Sequence, residues 1–503
     1  MIGMPKKNSM ADEHSFRSVR SAERGMLSKS SLHSKFARTA LFCAVCLASC
    51  HASLCWAQEF PPADAPDSIS WREVTTDSLE MESRLDALND RILKLEQTSK
   101  ESGKTKIKPA SSPSPIPSEK WGSSDKWNVQ LGGHIQTDFV TWANADPSIP
   151  NTQNYANFRR LRLLADGVGY DSYDFRLQLT LEPEGETTAL TATGLVKDAY
   201  FSLNDIPGLG RFRIGHFFVP FSLEQVTNDT NNIFLERSIP TQTVFAADRE
   251  IGVALYNHSE DKRLHWATGA FIDSHPEGTK KRFDDNQGLR LSGRMTYLPY
   301  FDEASEGRYL VHTGIGILHT EASDHTVRFR TRPQISEGPR LIDSGALFAD
   351  SFTTGNLEGA IVWERFTIQS EAFLSGVNLN NGPQTTATGA YVHLSWFLTG
   401  ESRMYERYGQ HGSQFGRNRP FRNFSVKRGA MQPGAWELKT RWSRLDLDNF
   451  QRGTYNDFTL GVNWYWSDRV RMMFDWIRPY TSKSTVVGKT DSDILGLRWD
   501  INW

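Results

Sequence analysis

The sequence predicts an all-β chain: a sixteen-stranded antiparallel transmembrane β-barrel, preceded by an N-terminal signal peptide, a short α-helical coiled coil and a linker. Three observations carry that prediction. From Trp127 to the last residue, apolar and polar side chains alternate with period two in segment after segment, as strands with unlike environments on their two faces require. The connections between those segments run alternately short and long through most of the chain. No apolar run reaches the roughly 18 to 20 residues that a membrane-spanning helix needs, yet aromatic residues make up 12% of the chain and tryptophan alone numbers 15, which suits interfacial girdles.

Composition narrows the classes further. The chain has 503 residues, is 38% hydrophobic and carries a net charge of -2, which indicates neither a helical membrane protein nor a nucleic-acid binder. A modest apolar fraction is compatible with a barrel, because every second strand residue faces water. All four cysteines, Cys43, Cys46, Cys50 and Cys55, fall in one N-terminal segment. Lys35 and Arg38 precede an apolar run there, and Cys55-Trp56-Ala57 offers small residues for a signal peptidase. Residues 1–57 are therefore expected to be a signal peptide region, with Met26 an alternative start. Leu47-Ala48-Ser49-Cys50 also resembles a lipobox, which would anchor the product at Cys50. Cleavage after Ala57 leaves no cysteine, so neither a disulfide framework nor a cysteine metal site is expected, and no cofactor.

After a short connector over 58–70, residues 71–98 carry Trp71, Val74, Ser78, Met81, Leu85, Leu88, Ile92 and Leu95 at 3-4 spacing among charges. This stripe predicts a short periplasmic coiled coil and hence an oligomer. Residues 99–126 are rich in Lys, Ser and Pro without periodicity, and read as a linker.

The barrel is expected over 127–503. Its most telling strand is the last, where Leu495, Leu497, Trp499, Ile501 and Trp503 alternate with Ile494, Gly496, Arg498, Asp500 and Asn502. Sixteen strands are expected, starting near 127, 158, 172, 196, 211, 250, 264, 288, 308, 356, 366, 389, 435, 457, 469 and 493. A soluble sandwich produces similar alternation, so connectivity decides. Short turns (Asp166 to Tyr170, Asn204 to Gly210, Asn257 to Arg263, Glu364-Arg365, Ser467-Asp468) interleave with long loops (Thr141 to Ala156, Phe217 to Arg249, Asp273 to Asn286, Glu321 to Gly355, Arg478 to Ser492). Short on one side and long on the other is the outer-membrane pattern. One connection breaks it: Thr399 to Gly434 is long and basic on the short-turn side, unless a missed hairpin raises the count to eighteen.

Several stretches resemble the phosphate-selective porin O and P family. They include Phe158-Arg159-Arg160-Leu161-Arg162-Leu163, Lys197-Asp198-Ala199-Tyr200, Arg213-Ile214-Gly215-His216-Phe217 running into Pro220-Phe221-Ser222-Leu223-Glu224, and Leu235-Glu236-Arg237. Val327 to Pro333, Leu398 to Arg403, Gly434 to Leu438 and Leu445-Asp446-Leu447 match as well, so the likeness spans about 127 to 503. The resemblance implies a trimeric sixteen-stranded outer-membrane channel whose third loop, here Phe217 to Arg249, folds inward and constricts the pore. Glu224, Asp229, Thr230, Glu236 and Arg237 would belong to that constriction. In the phosphate-specific members the third loop presents a lysine, and elsewhere in the family an arginine, shortly before Leu-Glu-Arg; the matching position here is Thr230, with no cation beside it.

A channel needs side chains that sort solutes weakly enough to release them. Arg328, Arg330 and Arg332 stand two apart, so an extended segment puts three guanidinium groups on one face, comparable with the anion-guiding row of the family; guanidinium stays charged and suits oxyanions. On the walls, Arg160, Arg162, Arg176, Arg211, Arg213, Arg290, Arg294, Lys439, Arg441, Arg469, Arg471 and Arg498 have lumen parity. So do Asp138, Asp174, Glu182, Asp198, Glu358, Glu371, Glu437, Asp475 and Asp500. Twelve basic against nine acidic positions is a modest anionic preference. Arg160, Arg162 and Arg213, with the Arg328 row, are the expected anion guides, and Arg403, Arg417, Arg419 and Arg422 form the basic cluster of the anomalous connection. Histidines 134, 216, 265, 312, 319 and 393 show no metal-ligand spacing, and no nucleophile motif stands in a strand-turn-helix setting, so an enzyme is not expected.

The sequence thus points to an outer-membrane diffusion channel, weakly anion-preferring and embedded in lipid, with small anions or phosphate as permeants. A phosphate- or polyphosphate-specific channel, an envelope-anchoring barrel whose coil contacts peptidoglycan, and a soluble β-sandwich are the rival readings.

Overall fold

A computed structural model describes residues 126–182, 196–242, 244–273, 288–427, 430–482 and 485–503. The expected signal peptide, connector, coiled coil and nearly all of the linker lie outside the described residues.

Sixteen long strands close into one antiparallel ring. They are β1 (Trp127–Asn144), β2 (Tyr155–Gly169), β3 (Tyr173–Thr180), β4 (Val196–Ile206), β5 (Gly210–Phe218), β6 (Arg249–His258), β7 (Leu264–Asp273) and β8 (Gly288–Phe301). The second half comprises β9 (Tyr309–Glu321), β10 (Leu347–Trp363), β11 (Phe366–Leu379), β12 (Thr385–Phe397), β13 (Ala435–Asp446), β14 (Thr454–Tyr465), β15 (Val470–Thr481) and β16 (Asp493–Asn502). Each strand pairs with its successor, and β16 returns to β1 with Ile135 opposite Ile501 and Phe139 opposite Leu497. Closure leaves no strand edge whose backbone groups hydrocarbon would fail to satisfy.

The two faces of the wall are inverted relative to a soluble sheet. On β16, Gly496, Arg498, Asp500 and Asn502 are buried while Leu495, Leu497, Trp499 and Ile501 remain partly or largely exposed. On β14, Asp457, Thr459 and Asn463 are buried while Phe458 and Leu460 are exposed. A sandwich would cover the apolar row instead. Here the greasy row faces outward for lipid, and the charged row points into the ring.

All sixteen expected strands are present, with two corrections to their limits. β10 begins at Leu347 rather than near 356. Phe348 is exposed, but a β-bulge between Ala349 and Ser351 then shifts the phase, and Ser351, Thr353 and Gly355 precede Leu357 on the outward row, so the apolar period is hidden there. β2 likewise continues through Asp166 to Gly169, because Asp166 lies opposite Arg176 and pairs with it at 2.6 Å; the turn is Tyr170 to Ser172. The anomalous connection adds no strand to the ring. It holds two separate ribbons, Tyr405–Gly409 with Gly412–Phe415 and Ser425–Lys427 with Ala430–Gln432.

The seam between β1 and β16 depends on absent side chains. Trp503 and Gly133 exchange backbone hydrogen bonds of 3.1 and 3.3 Å, and the Trp503 ring crosses Gly133 so closely that a Cβ there would stand 2.5 Å from it. Gly133→Val should therefore overpack the seam and cost about 1–3 kcal/mol, read as a lower urea midpoint for barrel folding into vesicles and a smaller fraction of compact, unheated barrel on electrophoresis.

Candidate functional site

Among the described residues, three connections fold into the ring. The first joins β5 to β6 over 219–248. Its entry is a four-residue helix, α1 (Leu223–Val226), capped by the Ser222 hydroxyl, which accepts from the Gln225 amide at 3.3 Å. The free amides of Leu223 and Glu224 at its start donate to the Glu371 carboxylate on β11, at 3.1 and 2.8 Å. Asn228 then turns the chain by accepting from the Thr230 amide at 3.1 Å. Arg237 folds the loop onto itself, donating to the carbonyls of Glu224, Gln225 and Thr227, each at 3.1 Å.

The wall fastens this loop by its backbone. Arg471 donates to Asn232 O at 2.7 Å, Asn463 to Ile233 O at 2.9 Å, Arg498 to Leu235 O at 2.5 Å and Arg441 to Glu236 O at 2.9 Å. Lys439 also donates to Ile233 O, and Asp475 accepts from the Leu235 amide at 2.9 Å. Buried carbonyls need such donors, and the wall supplies them from positions that parity marks as lumen-facing.

Two loop carboxylates gather several cations. Asp229 lies 3.0 Å from Arg162, 3.4 Å from Arg160, 2.8 Å from Arg237 and 3.9 Å from Arg249. Glu236 receives Arg159 at 2.5 Å and Arg498 at 3.0 Å. Burial pushes the Asp229 carboxyl up, but the guanidiniums of Arg160, Arg237, Arg162 and Arg249 outweigh it and hold it well below the usual range. Glu236 is likewise lowered, burial being overcome by Arg159 and Arg160. Glu224 accepts from the Ser238 hydroxyl at 2.6 Å and pairs with Arg441 at 3.2 Å.

Arg160, Arg162 and Arg213 thus lie inside the ring as expected, but they face carboxylates and rings rather than open water. Arg213 is fully buried, donates to Ser202 at 2.9 Å and stacks 3.9 Å over Tyr200. Thr230 carries no cation of its own; it lines a cleft of about 260 Å³ with Asn231, Arg417, Arg469, Arg471 and Asn502. A second cleft of about 210 Å³ is lined by Glu224, Phe234, Glu236, His393, Arg403 and Arg441.

The second inward connection, between β9 and β10, keeps the alternation of its arginine row. Val327, Phe329 and Thr331 are buried, while Arg328, Arg330 and Arg332 share the opposite, more exposed face. Arg328 is paired with Asp343 at 2.5 Å, and Arg332 donates to Gly338 O at 2.8 Å. Arg340 joins them: burial, then the charges of Arg332 and Arg330, bring its guanidinium down to about 10. Exposure falls along the row until Gln334, which is buried and donates to Ser443 at 2.8 Å and Asp457 at 2.7 Å on the opposite wall.

The third is the anomalous connection, which enters from the short-turn side. Arg403 donates to Gln369 at 3.0 Å and stacks 3.9 Å over Phe415. Tyr405 meets His312 at 2.7 Å, and His312 in turn meets Glu358 at 3.1 Å. Arg294 donates to Ser413 O at 2.9 Å. The expected basic cluster is therefore dispersed: Arg403 is buried within the ring, Arg417 lines the larger cleft, and Arg419 and Arg422 are exposed.

Sequence reasoning missed Arg159, Arg249, Gln334 and Arg340. Strict period two turns Arg159 outward, but a β-bulge opposite Gln136 and Thr137 brings it inward beside Arg160. Three arginines within Arg159-Arg160-Leu161-Arg162 were the available sign, since no regular strand turns all three the same way.

Because Asp229 and Glu236 titrate lower in the docked loop than in an unfolded chain, their stabilisation is present above the ordinary carboxylate range and is lost only as pH falls through the depressed values. Hydrogen exchange across 226–238 should stay slow from pH 7 to about 4.5. Asp229→Asn, which leaves buried cations uncompensated, should cost about 3–5 kcal/mol and accelerate exchange there at neutral pH.

The family model described as Phosphate-selective porin O and P matches residues 129–503. An "Uncharacterized protein" of Caulobacter vibrioides is 29% identical over 362 residues, covering 68% of this chain and 66% of its own, just under two thirds of that relative. Porin O of Pseudomonas aeruginosa is 24% identical over 404 residues, covering 72% of this chain and 85% of its own. Among solved structures, a loop-deleted OmpT of Vibrio cholerae superposes with a TM-score of 0.48 at 11% identity, over 75% of this chain and 100% of that one. The anion-selective porin from Comamonas acidovorans does so with 0.44 at 10%, over 75% and 99%.

Proposed function

We propose, from the premise that the chain belongs to the phosphate-selective porin O and P family, that it passes small hydrophilic solutes across the outer membrane with a weak preference for anions. The barrel is an outer-membrane protein of the Gram-negative type, and the family is one of channels rather than enzymes. In this reading the loop over 219–248 narrows the path that solute takes through the ring. The expected signal peptide delivers the chain, three copies assemble, and the N-terminal coil stands in the periplasm, where peptidoglycan is within its reach.

The observation that carries the anion preference is the arginine face of the loop between β9 and β10. Arg328, Arg330, Arg332 and Arg340 place four guanidinium groups around one carboxylate, Asp343. Most of the described wall arginines meet carboxylates or carbonyls, as Arg162, Arg471 and Arg498 do, so the excess of positive charge on this row is offered to an entering solute. An anion is attracted along the row, and exposure to water keeps each contact weak enough for release. Thr230 supplies no cation at the position where phosphate-specific relatives carry one, which favours a general over a phosphate-specific channel.

Reversal potentials in planar bilayers under a KCl gradient test this. Chloride should be favoured over potassium, and replacing Arg328, Arg330, Arg332 and Arg340 by glutamine should reduce the preference by about 1.5- to 2-fold per charge, as expected for unit charges near 8 Å in salt water. Millimolar phosphate should leave the chloride current intact. Block by phosphate would establish the phosphate-specific reading, and cation preference in the unaltered protein would overturn both.

A further inference from the structure

The connection between β12 and β13 does not end inside the ring. Asn418 still reaches the buried, inward-facing Tyr465 hydroxyl at 3.0 Å. By Phe424 the chain is on the outer face, with its ring 4.9 Å from Trp464 and 5.0 Å from Trp466 and its amide donating to Trp466 O at 2.7 Å. Trp464 Nε1 donates to Pro433 O at 2.7 Å, which fixes the return. The ribbon Ser425–Lys427 with Ala430–Gln432 is thus held on the outside of the short-turn rim.

Its side chains are out of place for water. Met431 at 76%, Val426 at 75% and Phe421 at 63% are the most exposed large apolar residues described, above any of the lipid-facing wall, where Phe348 reaches 59%. Val426 and Met431 lie directly opposite each other across the ribbon and form one apolar tip. Arg422 and Lys427 flank it, exposed and without a carboxylate in ion-pair reach among the described residues. The ribbon also continues an aromatic row, Trp436 to Trp464 at 4.9 Å, Trp464 to Trp466 at 5.0 Å and Trp466 to Trp499 at 5.1 Å. Such rings mark the headgroup level.

We propose that this ribbon is a membrane foot that binds anionic glycerophospholipid in the leaflet on the short-turn side. Val426 and Met431 enter the acyl boundary, and Arg422 and Lys427 take the headgroup phosphates. Apolar tip, basic flanks and an aromatic neighbour are together the composition of an interfacial anchor. The segment that fills the short-turn half of the lumen is then tethered to lipid at its far end.

The test uses the full chain with Cys43, Cys46, Cys50 and Cys55 replaced by serine and a nitroxide on Val426→Cys or Met431→Cys, in phosphatidylglycerol or phosphatidylcholine vesicles. Gln451→Cys, on the opposite rim, is the aqueous reference. At 426 and 431, collisions with oxygen should exceed those with a water-soluble nickel chelate several-fold, the reverse of 451. Arg422→Glu with Lys427→Glu should reduce this immersion in phosphatidylglycerol and leave it unchanged in phosphatidylcholine. Nickel access at 426 equal to that at 451, or immersion indifferent to the charge reversal, overturns the proposal. So does dipolar broadening between labels on neighbouring copies, which would make the ribbon a subunit contact.

Discussion

A charge enclosed by protein must be paired or hydrogen-bonded, because removing it from water uncompensated is strongly unfavourable. That constraint organises the interior of this barrel. A ring of sixteen strands with an aqueous lumen could leave its inward charges to water. Here the loops fold in, and the same charges become the means of holding them. Arg498 is shared between Asp138, Glu236 and the Leu235 carbonyl, and Lys439 between Asp475 and the Ile233 carbonyl. Neither the wall nor the loop would be satisfied alone.

The consequence for transport is a division of labour. Wall residues whose parity suits them to guiding ions are committed to structure, so in the proposed reading selectivity falls to side chains the fold leaves partly in water. The arginine face between β9 and β10 is the clearest of these. Its buried counterparts Val327 and Phe329 pack into the aromatic cluster that also takes Phe245 from the loop over 219–248, and the row is thereby held extended.

Much of the fold was legible because period two is a direct report of two solvents. The terminal strand alone contains the whole pattern, and the wall repeats it. What parity does not carry is the occupancy of the lumen. Arg160 and Arg162 were correctly turned inward, yet nothing in their spacing says that Asp229, far along the chain, will meet them. Arg159 was hidden by a bulge, which breaks the period that the regular strands obey. The anomalous connection was visible as an exception in length and charge. Its course, into the lumen by Arg403 and over the rim by Phe424, depends on contacts with strands from β4 to β14 that no local pattern encodes.

The loop over 219–248 lies docked against the inner wall. Leu235 packs against Gly496 on β16, so the double variant Leu235→Cys with Gly496→Cys tests it most directly in native outer membranes. Mild oxidation should give an intramolecular 235–496 disulfide in most molecules, with the single-cysteine variants inert to bulky maleimides. Failure to crosslink, with the thiol of the Leu235→Cys variant labelled freely from outside, would place the loop in water and contradict the account.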